Sequence, residues 1–496
     1  LLPAPVVLVR VIFGGRAGES SSNGRSICAD GNFVAFFSDA ADLVFGDTNE
    51  ARDVFVRNRA DGRTERVSVN TAGVQGNLGS HTAGDNPSIN AAGSIVAFYS
   101  NATKLVPGDT NDQSDVFVRL RNLNVTERVS VSSSGAQGNG PSLSASISGS
   151  GRLVAFQSLA SNLIAGDTNE VTDVFVRDRI SATTERLCNH VQGNGASFQP
   201  AISADGNVVA FTSAANNLVG NDTNRSLDVF VCDRRTNQID IVSVSTNDDL
   251  GNGDSILPAI SADGRFVAFK SIATNLVPDD RNNEVDVFVR DRVNRTTERI
   301  SVSFLNRDSN GVSFAPDIDC TGRFVVYGTQ ANNIVRNDYN QVASLILRDR
   351  AAGLSFLVDI NERGEQANGP VLDIAPAISC TNLLIAYATV ADNLTRNDFN
   401  QHGDVYDQNL CTTDSCGEDG RCINQADPCQ PLSSCHDAGV CDPQTGICSN
   451  PIKPDGATCD DGNLCTSGDQ CTGGVCSGSA KDCSMADACH DAGACD

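Results

Sequence analysis

Apolar and polar residues alternate in four short bursts between residues 200 and 246, written PAISADG, NVVAFTS, DVFVCDR and QIDIVSVS. A period of two puts one side of a strand in a core and the other in water. The bursts are rich in Val, Ile, Phe and Thr and are bounded by Gly, Asn and Asp, which are strand and turn signals. An Asp-Gly pair permits the positive φ of a tight hairpin. No window has the 3.6-residue period of an amphipathic helix, so the segment predicts four consecutive antiparallel strands.

The same unit recurs along the chain. Seven VAF-type strands are centred on Ala35, Ala97, Ala155, Ala210, Ala268, Val326 and Ala386, each followed by Phe or Tyr. Each runs into an acidic loop and then a DVFVRD-like strand, and successive loops lie 55–62 residues apart. Four strands repeated seven times predict an all-β, seven-bladed β-propeller over residues 1–410, its aromatics packed between blades. The two ends complement each other. The seventh unit stops after DVYDQN without a fourth strand, and the chain opens on VVLVRVIF, which reads as a fourth strand with nothing before it. Residues 6–13 are therefore expected to complete the last blade, leaving no open sheet edge between the ends.

The run ISADGRFVAFKS…DVFVRDR resembles the repeat of TolB-type propellers, a bacterial extracytoplasmic family. The resemblance spans about residues 1–410 and implies a fold rather than a function, because propellers host many unrelated activities. The TolB domain is six-bladed, and a count of seven departs from it.

The acidic loops carry the candidate chemistry. Asp, Asn and Asp fall at positions 1, 3 and 7 as Asp47, Asn49, Asp53; Asp109, Asn111, Asp115; Asp167, Asn169, Asp173; Asp222, Asn224, Asp228; Asp280, Asn282, Asp286; and Asp398, Asn400, Asp404. The sixth copy has Asp338 and Asn340 but Ser344. Alternating oxygen side chains on a tight loop suit calcium, which takes six to eight oxygens in irregular geometry. The competing reading is turn chemistry, since Asp and Asn bond their own backbone in loops. If the loops bind calcium, the sixth copy is expected to bind more weakly or not at all. The loops share a face with Gly/Asn-rich connectors such as GAQGNG 135–140 and DLGNGDS 249–255. Loops on a rigid scaffold commonly carry binding.

Net charge is −25, which argues against a nucleic-acid partner. No stretch is apolar enough to span a membrane as a helix. Of 19 cysteines, five precede residue 411 and fourteen lie from 411 onward, pointing to an oxidising extracellular or cell-surface compartment. Residues 411–496 read as a disulfide-rich repeat tail with little regular secondary structure. CHDAGVCDPQTGIC returns as CHDAGACD and breaks off, so further units are expected beyond Asp496. A Cys/His zinc site is conceivable there, but the regular spacing without paired Cys-x-x-Cys fits disulfides better. CTTDSC and CDDGNLCTSGDQCTGGVC resemble the Cys-rich repeats of slime-mould extracellular-matrix and bacterial surface proteins, implying a stalk or matrix module. In the propeller, Cys28, Cys320 and Cys380 are read as one equivalent position around the seam, with a bridge as one option; for Cys188 and Cys232 a free state is one option, and no pairing is assigned.

The five histidines recur at no blade position, and no nucleophile elbow or phosphate loop is present. No catalytic or cofactor-binding residue is assigned. The expectation is a non-enzymatic extracellular structural protein, acting as a matrix, adhesive or self-associating fibre subunit. A glycan- or protein-binding module using the long-looped face is the second reading, and a polysaccharide hydrolase or lyase with acidic residues in the central channel is the third.

Overall fold

The computed structural model describes residues 6–8, 20–80, 86–188, 190–361, 363–381, 383–395, 398 and 402–409, and in the tail 412–416, 422–426, 428–429, 435, 439–440, 453–459, 466–472 and 475–480. The chain divides into two compact units, Leu1–Asn409 and Leu410–Asp496.

The first unit holds seven four-stranded antiparallel sheets. Blade 1 is Ser22–Ile27, Phe33–Ser38, Asp53–Asn58 and Arg63–Arg66, paired in sequence order. Blades 2 to 6 repeat this order over 88–128, 142–186, 197–241, 255–299 and 313–357. Blade 7 takes Ala377–Ile378, Leu384–Thr389 and Asp404–Asn409 from one end of the chain and Val6–Leu8 from the other, with Val7 opposite Asp407. The closing strand lies where the sequence places it; residues 9–13 of that expectation are outside the described residues.

The second and third strands form the core. Val34, Ala35, Phe36, Val54, Phe55 and Val56 are wholly buried, and the same places are buried in the other blades. Phe36 stacks on its cross-strand partner Phe55 at 5.8 Å, and both pack on Ala386 and Val405 of blade 7. Aromatic pairs of this kind add about 0.5–1.5 kcal/mol beyond area burial. The repeated aromatics thus bind strands within a blade and blades to each other.

Three further devices join the blades. At the turn after each first strand, a backbone hydrogen bond crosses to the next blade: Ala29 to Ala91, Ala91 to Gly149, Gly149 to Ala204, Ala204 to Ala262, Ala262 to Cys320, and Cys380 back to Ala29, at 2.9–3.1 Å. Just past the third strands, Arg179 and Arg234 reach the fourth strand of the preceding blade, pairing with Glu127 at 2.8 Å and Glu185 at 2.7 Å. Arg59 of blade 1 reaches Asp407 of blade 7 at 2.8 Å, an ion pair across the chain closure. Finally, a disulfide joins Cys320 to Cys380.

The cysteine expectations need two corrections. Cys28 is not equivalent to Cys320 and Cys380 but stands one place earlier, where Ser203 and Ser261 stand. Its Sγ donates to Asp30 Oδ1 and accepts from the Phe33 N–H, as Ser203 Oγ donates to Asp205 and accepts from Val208. Cys28 is a buried free thiol, held up at about 12 by burial. Cys188 and Cys232 are not free but bonded to each other, with Cα atoms 6.1 Å apart. They lie 44 residues apart in sequence, and only the stacking of blade 3 on blade 4 brings them within disulfide range.

The described parts of the second unit are short hairpins, Thr412–Cys416 with Cys422–Ala426 and Thr466–Thr472 with Val475–Ala480, and one two-residue pairing. Cys435–Cys471 and Cys459–Cys476 are disulfides. The sulfurs of Cys435, Cys459 and Cys476 lie together because two bridges are neighbours, which accounts for them without zinc. Among the described residues, no helix is long and apolar enough to cross a membrane.

Candidate functional site: the acidic loops

Blade 1 shows how an acidic loop is built. Asn49 Nδ2 donates to Asp53 Oδ2 and to the Gly76 carbonyl, both at 3.0 Å, while its Oδ1 accepts from the Ala51 N–H at 3.2 Å. Gly76 belongs to the connector leading into blade 2, so the asparagine ties the loop to the next blade. Ser68 on the far side donates to Asp53 Oδ1. The remaining oxygens face a cation already in the chain. Arg66 Nη1 lies 2.8 Å from Asp47 Oδ1 and 3.3 Å from Asp53 Oδ2, and Nη2 donates to the Gly46 carbonyl at 3.4 Å. Burial still pushes the Asp47 and Asp53 carboxyls up, with Arg66 opposing it.

Blades 2 and 5 repeat this arrangement. Arg128 Nη1 sits 3.2 Å from Asp109 Oδ1 and 3.3 Å from Asp115 Oδ2. Arg299 Nη1 sits 3.0 Å from Asp280 Oδ1 and 3.4 Å from Asp286 Oδ2, with Asp308 at 2.6 Å from Nη2. In blade 3, Arg186 opposes Asp167 and Asp173 from a greater distance, and desolvation leaves Asp173 at about 6. Asn111, Asn169, Asn224, Asn282 and Asn340 all donate to a connector carbonyl at 2.9–3.2 Å. The repeated loop is therefore a staple between blades, and a guanidinium supplies its positive charge in several copies. These arginines were missed by a reading confined to the loop, although the recurring Thr-Glu-Arg at 64–66, 126–128, 184–186 and 297–299 is visible in the sequence.

Three blades lack the arginine. Ile241 pairs with Phe230, Leu357 with Ile346 and Leu8 with Tyr406, in the register that Arg66 holds opposite Phe55. In blade 4, Asp222 Oδ1 and Asp228 Oδ2 are buried with no hydrogen bond of ordinary geometry, and Asp228 is pushed up to about 6 by desolvation. In blade 6 the serine and aspartate have changed places: Ser344 begins the third strand, and Asp359 stands where Ser68 stands. The Leu345 N–H donates to Asp359 Oδ1 at 3.0 Å, as Val54 N–H donates to Ser68. Asp359 Oδ2 and Asp338 Oδ1 have no hydrogen-bond partner. The sixth copy, worn in sequence, keeps two carboxyls, Asp359 wholly buried and Asp338 half-buried. In blade 7, Tyr406 donates to Asp398 and Asp404 begins the third strand; Asn400 is outside the described residues.

The same loop face carries exposed aromatics. Phe45 at the head of the blade 1 loop is 106% exposed and Tyr339 in the blade 6 loop is 72% exposed. Phe304 and Leu305 on the connector into blade 6 are also exposed.

The first strands line a central cavity of about 350 Å³. Prolines 200, 258 and 316 follow residues with positive φ at Gln199, Leu257 and Ala315, so these bulges leave no unpaired N–H at the wall. Two charged side chains face this wall. Asp317, held by the Ile378 N–H at 3.0 Å, is pushed up to about 7 by burial. Arg25 donates to the Ile374 carbonyl at 2.8 Å but leaves Nε and Nη1 without a hydrogen bond, and burial draws it down to about 9.

No protein-family model and no curated protein sequence matches the chain. Solved structures that resemble it include TolB from Acinetobacter baumannii, at 14% identity and TM-score 0.37, covering 75% of this chain and 77% of that one. Oligogalacturonate lyase from Vibrio parahaemolyticus shares 10% identity at TM-score 0.47, covering 84% and 92%. The β-propeller domain of the Trilobed protease from Pyrococcus furiosus shares 9% at TM-score 0.47, covering 82% and 97%. The β-propeller fold rests on the seven sheets of the chain itself and not on these likenesses.

Proposed function

We propose that the chain is a non-enzymatic extracellular structural protein, a rigid propeller linked to a disulfide-stapled tail and associating through its long-looped face. The observation that carries this reading is the exposure of Phe45, Phe304 and Tyr339 on loops that are themselves tied down. Rigid aromatic side chains on one face of a scaffold lose little entropy on contact, which suits adhesion or self-association. Disulfides in both units fit an oxidising compartment. Electron microscopy and light scattering of the purified chain, beside a Phe45→Ser/Tyr339→Ser variant, test the reading. Fibres, sheets or oligomers weakened in the variant support it; monomers at all concentrations, with no retention on glycans or matrix, oppose it.

One observation favours a different reading. Asp317 is a desolvated carboxyl on the channel wall, and raised carboxyl groups in clefts are candidates for acid–base chemistry. A polysaccharide hydrolase or lyase would place its acid there. Turnover of an acidic polysaccharide, abolished by Asp317→Asn with the fold intact, would replace the structural reading.

A further inference from the structure

The arginine of the acidic loops has a fixed set of ligands. In blades 1, 2 and 5 it meets Oδ1 of the first aspartate, Oδ2 of the second, and the carbonyl of the residue preceding the first, Gly46, Gly108 or Asp279. In blade 4 the same two oxygens, Asp222 Oδ1 and Asp228 Oδ2, have no guanidinium and no hydrogen bond of ordinary geometry. Both residues are more than nine-tenths buried, at 8% and 0% exposure. The guanidinium is gone, with Ile241 in its register.

Blade 6 supports the same inference through a different exchange. It loses the arginine to Leu357 and the second aspartate to Ser344, yet regains a carboxyl as Asp359, whose Oδ2 has no partner, as is true of Asp338 Oδ1. Simple decay of the repeat would lose the acids along with the arginine. Burying two carboxyls without a countercharge is costly, whereas an apolar replacement would cost little. Retaining them without an internal cation is explained by an external one.

We propose that blades 4 and 6 each hold a hard divalent cation of the calcium type where blades 1, 2 and 5 hold an arginine. In blade 4 the ligands are Asp222 Oδ1, Asp228 Oδ2 and the Asn221 carbonyl, with water completing a shell of about six to eight oxygens. In blade 6 they are Asp338 and Asp359. Asn224 and Asn340 keep their stapling role beside the ion. This goes beyond the adhesive reading and stands or falls separately from it.

Calorimetric titration of the chelator-treated full chain with calcium chloride tests the inference, with thermal melts in parallel. The wild type is expected to take up calcium and melt higher. Ile241→Arg and Leu357→Arg should each lose one equivalent of uptake while melting in chelator no lower than wild type. Arg66→Ile should gain an equivalent. An Asp222→Asn/Asp228→Asn variant, which keeps the side-chain shapes, guards against misfolding of Ile241→Arg and should lose the same equivalent. Unchanged uptake in both blade 4 variants, or no uptake by the wild type at pH 7.5, would overturn the proposal and leave these carboxyls as protonated pairs.

Discussion

Cys320 and Cys380 occupy the same position in neighbouring blades, and their disulfide stands where other blade junctions carry a backbone hydrogen bond. Hydrogen bonds run from Ala29 through to Cys320 and resume from Cys380 to Ala29. The covalent link completes that circle beside blade 7, whose strands come from both ends of the chain. A circular fold is weakest where it can open, and a bond between blades 6 and 7 fastens the neighbourhood of the closure.

Replacing Cys320 and Cys380 together with serine should destabilise the propeller by about 2–5 kcal/mol, the range for removal of native disulfides. Urea denaturation checks this, and reducing agent should bring the wild type toward the variant. Cys28→Ser should change stability little, because serine makes the same turn contacts at Ser203 and Ser261.

Removal of residues 1–9 takes away the strand that pairs with 406–408 and exposes the edge of blade 7. The truncated chain should melt well below the full chain and associate through the open edge. Melting that matches the full chain would contradict closure by Val6–Leu8.

Arg66→Leu leaves Asp47 and Asp53 buried without their guanidinium. Breaking a buried pair on one side costs about 3–5 kcal/mol, so a large fall in stability is expected in chelator at neutral pH. Neutralising the acids as well, with Asp47→Asn/Asp53→Asn, should recover much of it. A double-mutant cycle in urea measures the coupling.

Asp317 gives a pH dependence whose sign follows from its raised value of about 7. Between the ordinary carboxyl range near 4 and about 7, the folded state holds a proton that the unfolded state releases. The resulting stability is fully present below pH 4 and is lost as pH rises through 7. Asp317→Asn, which stays neutral, should remove this contribution, so the gap between variant and wild type should change in the variant's favour from pH 5 to pH 8. A gap independent of pH would show that Asp317 titrates normally in the channel.

The period-two alternation, the Asp-Gly turns and the seven copies were enough to derive the strands, the blade count and the closing strand, because those follow from local geometry repeated at a fixed interval. The acidic loops show where that reasoning stops. Asp47, Asn49 and Asp53 look alike whether they hold a metal or make a turn, and the difference lies in Arg66, which reaches them only when the third and fourth strands pair. Cys188 and Cys232 likewise meet only once two blades stack. Charge balance and disulfide distance depend on which side chains share a small volume, and residues far apart in sequence come to share it only through tertiary packing.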